Sequence, residues 1–288
     1  MLKFKFKDRE LSIGKRTYIM GILNLTCDSF YDGGRYTDPK LALNHALSML
    51  EQGADIIDIG GESSRPGAEP VAQDVELKRV IPVIKKLSKE TDVVISIDTT
   101  KSKVAQKAME SGACIINDIS ALRFDKNMVN VAREYDAGLV LMHTRGKPKD
   151  MQTNITYDSY DNAASEIMRF LEQRANFAIE RGIEKEKIAI DPGIGFGKVL
   201  KHNLEIINNI PAFKCLRYPL LLGTSRKSFI GAVLNADADD RLCGTIAINA
   251  ICAAKGADIL RVHDVKEHVD AVRMVDALRE CSGNLSVI

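Results

Sequence analysis

Eight short apolar runs recur along the chain and limit what it can fold into. Most are rich in Ile and Val, none is long enough for a core helix, and they do not alternate between apolar and polar residues. This pattern predicts parallel strands that are buried on both faces. Each run leads into residues that can hydrogen-bond, ionise or bind a phosphate, in chain order Asn24, Asp58, Asp98, Asn117, His143, Asp191, Ser225 and Arg261.

The segments between the runs have helical periodicity, as the crossovers between buried parallel strands require. Asp38 and Pro39 form a typical helix start, and Gly53 follows its predicted end. Two further helices are predicted from apolar stripes, one made of Leu77, Val80, Ile81 and Ile84 and the other of Ala271, Met274, Val275 and Leu278. Asp264 and Glu267 precede the last stripe at capping-box spacing.

Eight strand–helix alternations predict an α/β fold, the (β/α)8 TIM barrel, in which the C-terminal strand ends and the loops after them form the active site. The polar residues at the run ends are therefore expected to converge on one mouth. Residues 1–17 are predicted to form a short N-terminal β-hairpin that caps the barrel bottom, with its turn at Asp8–Glu10. Residues 18–288 are predicted as one catalytic domain, since α/β barrels commonly run to about 250 residues.

Composition excludes several classes of function. The formal net charge is only +1, so no global basic field argues for a nucleic-acid partner. No apolar stretch approaches the roughly 20 residues of a membrane span, and the first residues lack the apolar region of a signal peptide. The six cysteines have neither a C-x-x-C pair nor zinc-ligand spacing, so we expect free thiols in a reducing cytoplasm.

The segment Asp191–Lys198 is rich in glycine but is neither nucleotide-binding fingerprint. A Walker A loop would need a glycine where Pro192 stands and a Ser or Thr where Val199 stands. The G-x-G-x-x-G fingerprint would need a glycine where Lys198 stands. Its glycines would let backbone approach a flat ligand closely. The alternative is a glycine-rich turn with a structural aspartate.

Asp58, Asp98, Asn117 and Asp191 form an acid-and-amide set from four of the predicted strands. Three carboxylates are compatible with a divalent metal, although no histidine joins them in sequence. They also provide acceptors and donors for the edge of an aminopyrimidinone, whose N–H groups lie beside carbonyl and ring-nitrogen acceptors. The second interpretation requires a planar, nitrogen-rich substrate.

Two basic segments follow the last two predicted strands, Gly223–Ser228 and Arg261–His263. Barrels frequently bind phosphate at this corner. The two arginines, the lysine, the histidine and the hydroxyls therefore indicate a diphosphate leaving group. Lys227 alternatively suggests a Schiff base, as in aldolase-type barrels.

Two long, glycine-bearing loops follow the first two strands, residues 25–38 and 61–67. Their length and glycine content mark them as candidate lids that close over bound substrate. The alternative is that they are surface connections only.

Eight motifs in this order resemble dihydropteroate synthase, over about residues 18–280. The motifs occupy 20–34, 58–68, 96–99, 117–119, 141–143, 191–198, 222–231 and 261–265. The resemblance implies a transferase that joins 4-aminobenzoate to 6-hydroxymethyl-7,8-dihydropterin diphosphate, releasing diphosphate and forming 7,8-dihydropteroate for folate synthesis. It also implies Mg2+ as cofactor, the status of a sulfonamide target, a cytoplasmic location and a homodimer.

Motif by motif, the resemblance assigns a role to individual residues. Asn24 would ligate Mg2+, and the catalytic set would be Asp98, Lys227 and Arg65. The pterin would be held by Asp98, Asn117, Asp191 and Lys227. The diphosphate end would meet Ser64, Arg261 and His263, and the aminobenzoate site would be bordered by Phe30, Phe196 and Ser228. Met142 and Val262 complete the predicted substrate-binding set.

Two positions depart from the family pattern. Cys27 stands where the family usually has proline, and Ser64 where it usually has threonine. Loss of the proline is expected to loosen the first loop, whereas serine keeps the hydroxyl. Both leave aminobenzoate affinity and sulfonamide sensitivity open.

Three other functions remain as alternatives. They are a methyltetrahydrofolate-binding methyltransferase, which would need a corrinoid partner, a Schiff-base lyase acting through Lys227, and a non-catalytic pterin-binding paralogue.

Overall fold

The computed structural model describes residues 2–26, 39–153 and 155–284, except for the side chains of Tyr157 and of residues 282–284. Its strands are β1 Leu2–Phe6, β2 Arg9–Ile13, β3 Tyr18–Asn24, β4 Ile56–Gly60, β5 Val94–Asp98, β6 Ile115–Asp118, β7 Gly138–Met142, β8 Ile188–Asp191, β9 Leu221–Leu222 and β10 Ile259–Val262. The strands β3 to β10 correspond to the eight apolar runs, so the strand prediction is confirmed.

Crossover helices connect the parallel strands. They are α1 Pro39–Glu51, α2 Gln73–Glu90, α3 Ser102–Glu110, α4 Met128–Glu134, α5 Ala163–Ile179, α6 Leu200–Asn208, α7 Ile210–Lys214, α8 Ser228–Leu234, α9 Leu242–Ala254 and α10 Val265–Asn284. As predicted, α1 begins at Pro39, and the chain leaves it through Gly53 at φ +102°, a conformation that glycine adopts without strain.

The eight parallel strands form a TIM barrel, which confirms the predicted fold. The order in the sheet is β8-β7-β6-β5-β4-β3-β10-β9. A parallel bridge between Ile190 and Leu220 joins the two ends, where the Ile190 amide donates to the Pro219 carbonyl at 2.9 Å. No helix among the described residues is both long enough and apolar enough to span a membrane.

Alternate residues of the strands belong to two separate apolar clusters. Ile19, Ile57 and Ile95 pack in the large cluster that contains the buried faces of the helices. Their neighbours Met20, Ile56 and Val94 pack in a smaller cluster inside the barrel. Because successive strand residues point to opposite faces, these strands are apolar on both sides.

The N-terminal hairpin closes the bottom of the barrel. Phe4 and Phe6 are fully buried in the inner cluster, with their rings edge to face at a centroid distance of 5.6 Å. A Cβ on Gly138 would lie 3.1 Å from both residues, so glycine leaves room for them. The predicted cap is confirmed. Its turn is at Lys7–Asp8, however, because β2 already begins at Arg9.

The apolar stripe predicted for α10 is only partly correct. Val265, Val269 and Val272 are buried against the barrel, whereas the side chains of Met274 and Leu278 are about two-thirds exposed. The core-facing stripe therefore lies in the first half of the helix. Asp264, predicted as a capping residue, directs its carboxylate to Arg226.

Candidate active site

The polar strand ends of the first half of the barrel lie side by side. The register pairs Asn24 with Gly60, Gly60 with Asp98, and Asp98 with Asn117 across β3, β4, β5 and β6. A Cβ on Gly60 would lie 3.6 Å from Asn24 Oδ1 and 3.8 Å from Asp98 Oδ2, so glycine keeps the space between them open. The predicted convergence on one mouth is present in the structure.

Asp58 is the centre of this group, a role that its position in the sequence did not reveal. Its side chain is fully buried, and its Oδ2 accepts hydrogen bonds from Arg261 Nε at 2.6 Å and from Asn117 Nδ2 at 3.1 Å. Among the described residues, its Oδ1 has no hydrogen-bond partner. Asp58 thus holds two of the predicted substrate-binding side chains.

Asp98 shares Arg261 with Asp58. Arg261 Nη2 donates to Asp98 Oδ2 at 2.8 Å. Burial raises the pKa of Asp98 to about 7, against the opposing effect of the Arg261 charge. The carboxyl group is therefore poised to titrate near neutral pH, as is common for groups at functional sites.

Asp191 lies across the barrel, at the end of β8 and in register with Met142. Its Oδ1 accepts the Gly193 amide at 2.7 Å, which ties the carboxylate to the glycine-rich loop. Burial raises the pKa of Asp191, and the charge of Lys227 opposes that rise. Asp191, Met142 and Lys227 therefore belong to one side of the mouth.

Lys227 lies over the glycine-rich loop. Its Nζ donates to the Ile194 carbonyl and lies 4.6 Å from the centroid of the Phe196 ring. Burial lowers the pKa of Lys227 to about 8, while the charge of Asp191 acts in the other direction. With its pKa near 8, Lys227 is mostly protonated at pH 7. It can therefore serve as a donor to a flat substrate and as a local cation. Ser228 follows as the first residue of α8 and is exposed.

The glycine-rich loop is built around a buried lysine. Lys198 Nζ donates to the carbonyls of Gly193 at 2.8 Å and Phe196 at 2.9 Å and lies 3.0 Å from His143 Nδ1. A Cβ on Gly193, which has φ +69°, would lie 1.9 Å from the His143 carbonyl oxygen. Lys198 and His143 therefore shape this loop from beneath.

Ser225 and His263 join the ends of β9 and β10. Ser225 Oγ accepts the His263 amide at 3.2 Å and lies 3.0 Å from His263 Nδ1. Burial, with the nearby charge of Arg261, lowers the pKa of His263 to about 3. The imidazole is therefore neutral, and a Ser225 hydroxyl that donates to Nδ1 leaves the proton on Nε2 as a donor.

The charge of Arg65 also lowers the pKa of His263. Arg65, predicted as part of the catalytic set, therefore lies within electrostatic range of the strand-end cluster. Arg226, by contrast, makes a bidentate ion pair with Asp264 at 2.8 and 2.7 Å. Its charge also lowers the pKa of His263, so Arg226 lies within the same electrostatic range while its guanidinium is bound to the residue before α10.

Ser64 and Asp98 line a cavity of about 570 Å³ above the mouth. Its other walls come from the loops that follow β5, β6 and β7. Val262, predicted to bind substrate, has its side chain in the outer cluster between the strands and the helices, so only its backbone can face the mouth. Phe30 and Cys27 lie outside the described residues.

The donors present suit a magnesium ion that is held mainly by a substrate. Among the residues that the structure describes, no group of three His, Cys, Asp or Glu side chains is placed to hold a metal. Asn24 presents one amide oxygen beside Asp98 at the strand ends. Mg2+ typically takes one or two protein oxygens together with phosphate oxygens and water, and Asn24 fits that role.

Comparison with known proteins gives a consistent result. The family described as pterin binding enzyme matches residues 20–263. The dihydropteroate synthase of Clostridium beijerinckii is 46% identical over 275 residues, which cover 95% of this chain and 98% of that protein. The Escherichia coli K12 dihydropteroate synthase is 43% identical over 267 residues, 93% of each chain.

Solved structures agree with these sequence matches. The Yersinia pestis dihydropteroate synthase, solved with a sulfonamide drug, superposes with a TM-score of 0.92 at 41% identity and covers 97% of this chain and 100% of that one. The Xanthomonas albilineans dihydropteroate synthase with 4-aminobenzoic acid gives a TM-score of 0.88 at 39% identity, covering 96% and 98%.

Proposed function

The chain belongs to the dihydropteroate synthase family of pterin-binding enzymes, and on that premise we propose how its barrel mouth performs the reaction. The reaction condenses 4-aminobenzoate with (7,8-dihydropterin-6-yl)methyl diphosphate and yields 7,8-dihydropteroate and diphosphate in folate biosynthesis. The matches span nearly the whole chain, so the methyltransferase, lyase and non-catalytic alternatives have no comparable support.

The observation that carries the proposal is that carboxylates, an amide and cations meet in one mouth. The carboxylates and the amide come from β4, β5, β6 and β8, whereas Arg261 lies in β10 and Lys227 and the neutral histidine follow β9 and β10. A pterin edge needs several hydrogen-bond acceptors and donors, and a diphosphate needs cations and N–H donors. The two halves of the mouth suit the two halves of the substrate.

The pterin would lie between Asp98, Asn117 and Asp191, with Lys227 above the glycine-rich loop. Ionised Asp98 and Asp191 would accept from the amino and ring N–H groups of the pterin. Asn117 would supply both a donor and an acceptor. Arg261 Nη2 donates to one Asp98 oxygen, so the pterin would share or displace that contact.

The diphosphate would meet Arg261, Arg65, the Nε2–H of His263 and the hydroxyl of Ser64. Asn24 would ligate Mg2+. When bound, the ion would neutralise part of the charge on the diphosphate leaving group. Arg261 and Arg65 stabilise the same developing charge from the protein side. Neutral His263 adds a donor without requiring a change of protonation.

The reacting carbon is the exocyclic methylene of the dihydropterin. Departure of the diphosphate is assisted by the electron-rich ring, so positive character develops at that carbon. The amine of 4-aminobenzoate is neutral at physiological pH and attacks without a strong general base. Phe196, Ser228 and Phe30 would border its ring, and the loop after β4 would position it and exclude water.

The test is diphosphate release from the dihydropterin substrate with Mg2+ and 4-aminobenzoate, each omitted in turn. We expect release that requires the amine, with dihydropteroate formed in equal amount. An Asn24→Ala variant should need several-fold more Mg2+ for half-maximal rate. No release by the wild type, with the diphosphate substrate still raising thermal stability, would contradict the proposed reaction.

We also propose that the enzyme is a homodimer that works in the cytoplasm. Ile251 on α9 and Met274 on α10 are large apolar side chains that are 45% and 66% exposed, and their helices pack against each other. Such neighbouring apolar residues favour an interface. Light scattering should give a molar mass twice that of the chain, and Met274→Asp should reduce it to that of one chain. A monomeric wild type would refute the dimer.

Free cysteines in the described part suit a reducing compartment.

A further inference from the structure

The loop between β4 and α2 carries Ser64 and Arg65, and its base is held by ionic contacts to residues that the proposed mechanism does not use. Glu62 Oε1 accepts the Val71 amide at 2.8 Å, which closes the loop on itself. Glu62 Oε2 accepts from Lys101 Nζ, at the start of the chain segment after β5. Glu62 and Val71, which are nine positions apart in sequence, are thus joined at the base, or foot, of the loop.

Lys101 continues this connection into the interior. Its Nζ also donates to Glu76 Oε2 at 2.6 Å, and Glu76 is a fully buried residue in the first turn of α2. The other oxygen of Glu76 accepts from Thr99 Oγ1 at 2.6 Å. Thr99 follows Asp98 directly in sequence. One ammonium group therefore links the loop, the helix after it and the strand end that carries Asp98.

The geometry of the backbone makes this connection specific. A Cβ on Gly61 would lie 2.8 Å from Val80 and 2.9 Å from Glu76 Cγ, so the chain passes very close to α2 as it leaves β4. Arg79 Nη1 donates to the Gly61 carbonyl at 2.8 Å. The foot of the loop is thus tightly packed, and Glu62 is the first residue beyond it.

The tip of the loop is attached much less firmly. The Gly67 amide donates to the Pro148 carbonyl at 2.9 Å, and Lys149 pairs with Glu69 at 3.0 Å. The side chains of Lys149 and Glu69 are 64% and 71% exposed, whereas those of Lys101 and Glu76 are 24% and 0% exposed. Exposed ion pairs contribute little to stability, whereas removing one partner of a buried pair is strongly destabilising because it leaves an uncompensated buried charge.

We propose that Glu62 and Lys101, anchored on Glu76, are positioning residues that set the place of Ser64 and Arg65 at the diphosphate. This inference rests on the proposed function. Glu62 and Lys101 border the same cavity as Ser64 and Asp98, and their proposed effect is exerted through the loop. They fix the foot of the loop relative to Asp98, so that the pterin and diphosphate subsites keep a constant separation.

The test compares two ligands that differ only in the diphosphate, 6-hydroxymethyl-7,8-dihydropterin and its diphosphate ester, by titration calorimetry with Mg2+ present. Glu62→Gln removes the charge on the loop but leaves buried Glu76 paired with Lys101, so the variant is expected to fold. Lys101→Met removes the whole connection, and Lys101→Arg should partly restore it. Lys149→Met is the matched control at the exposed tip.

We expect Glu62→Gln and Lys101→Met to weaken binding of the diphosphate ester at least about tenfold, which is the scale on which the loss of one charged hydrogen bond lowers affinity. The unesterified pterin should bind within about twofold of wild type, and Lys149→Met should change neither affinity. Wild-type affinity of Glu62→Gln for the ester, or an equal loss for both ligands, would overturn the proposal. A wild-type protein that does not bind the ester would instead refute the proposed function.

Discussion

Replacing Asp58 with asparagine is the most informative single change, because it removes a charge and almost nothing else. The side chain keeps its shape and retains one oxygen that can accept from Arg261 and Asn117. A hydrogen bond to a charged group contributes about 1.5–3 kcal/mol. Arg261 keeps its contact to Asp98, so we expect a loss near the lower end, about 2 kcal/mol.

Two quantities should change together in the Asp58→Asn variant. A loss of about 2 kcal/mol lowers Tm by roughly 4 °C for a chain of this size. Without the Asp58 charge, Arg261 is drawn towards Asp98 and away from the diphosphate. If the same 2 kcal/mol is lost from transition-state binding, kcat/KM for the dihydropterin diphosphate falls by about 30-fold.

Ser96→Ala is the matched control for Asp58→Asn. Ser96 is the register partner of Asp58 on β5 and is fully buried, and its Oγ has no hydrogen-bond partner among the described residues. Steady-state kinetics and thermal unfolding of Ser96→Ala should match wild type. The reasoning would be refuted if Asp58→Asn kept wild-type kcat/KM, or if the control lost as much.

Three further changes test other parts of the structure. The pKa of Asp98 is raised to about 7 and that of Lys227 is lowered to about 8. We therefore expect kcat/KM to rise near pH 7 as Asp98 ionises and to fall above pH 8 as Lys227 loses its proton. A Lys227→Arg variant that still shows the fall above pH 8 would contradict the assignment to Lys227. Phe4→Ala should cost about 3–5 kcal/mol in unfolding free energy with little change in kcat, whereas Lys5→Ala should be neutral in both. Lys198→Met should loosen the glycine-rich loop and raise KM for 4-aminobenzoate several-fold, and an unchanged KM would show that Phe196 does not depend on it.

The barrel could be predicted because its signal is local and repeated. Each run from Tyr18 to Val262 is a continuous apolar segment, and each ends in a polar residue at the strand end where barrels place their sites. The sequence therefore predicts Asn24, Asp98, Asn117 and Asp191 at strand ends without any knowledge of distance, and the structure has them there. The glycine at position 60 between them was visible in the sequence, but the space that it leaves was not.

What the sequence did not reveal are contacts between distant residues. Asp58 and Arg261 are 203 residues apart, and Arg226 and Asp264 are 38 apart, so periodicity has no information on either pair. The outward side chain of Val262 follows from strand alternation, but only once the first residue of β10 is known. The exposed Met274 shows that a helical stripe continues past the part of α10 that the barrel covers.

The hairpin at the barrel bottom has a consequence for synthesis on the ribosome. Phe4 and Phe6 emerge before every strand of the barrel, but the residues that bury them extend as far as Ile259. At about 5–20 residues per second, translation of the intervening chain takes on the order of 10 to 50 s. During that time Phe4 and Phe6 have no complete barrel to pack against. The hairpin of the nascent chain thus exposes apolar side chains to chaperones or to other nascent chains. These side chains become fully buried only when β10, the last strand of the barrel to be translated, is in place.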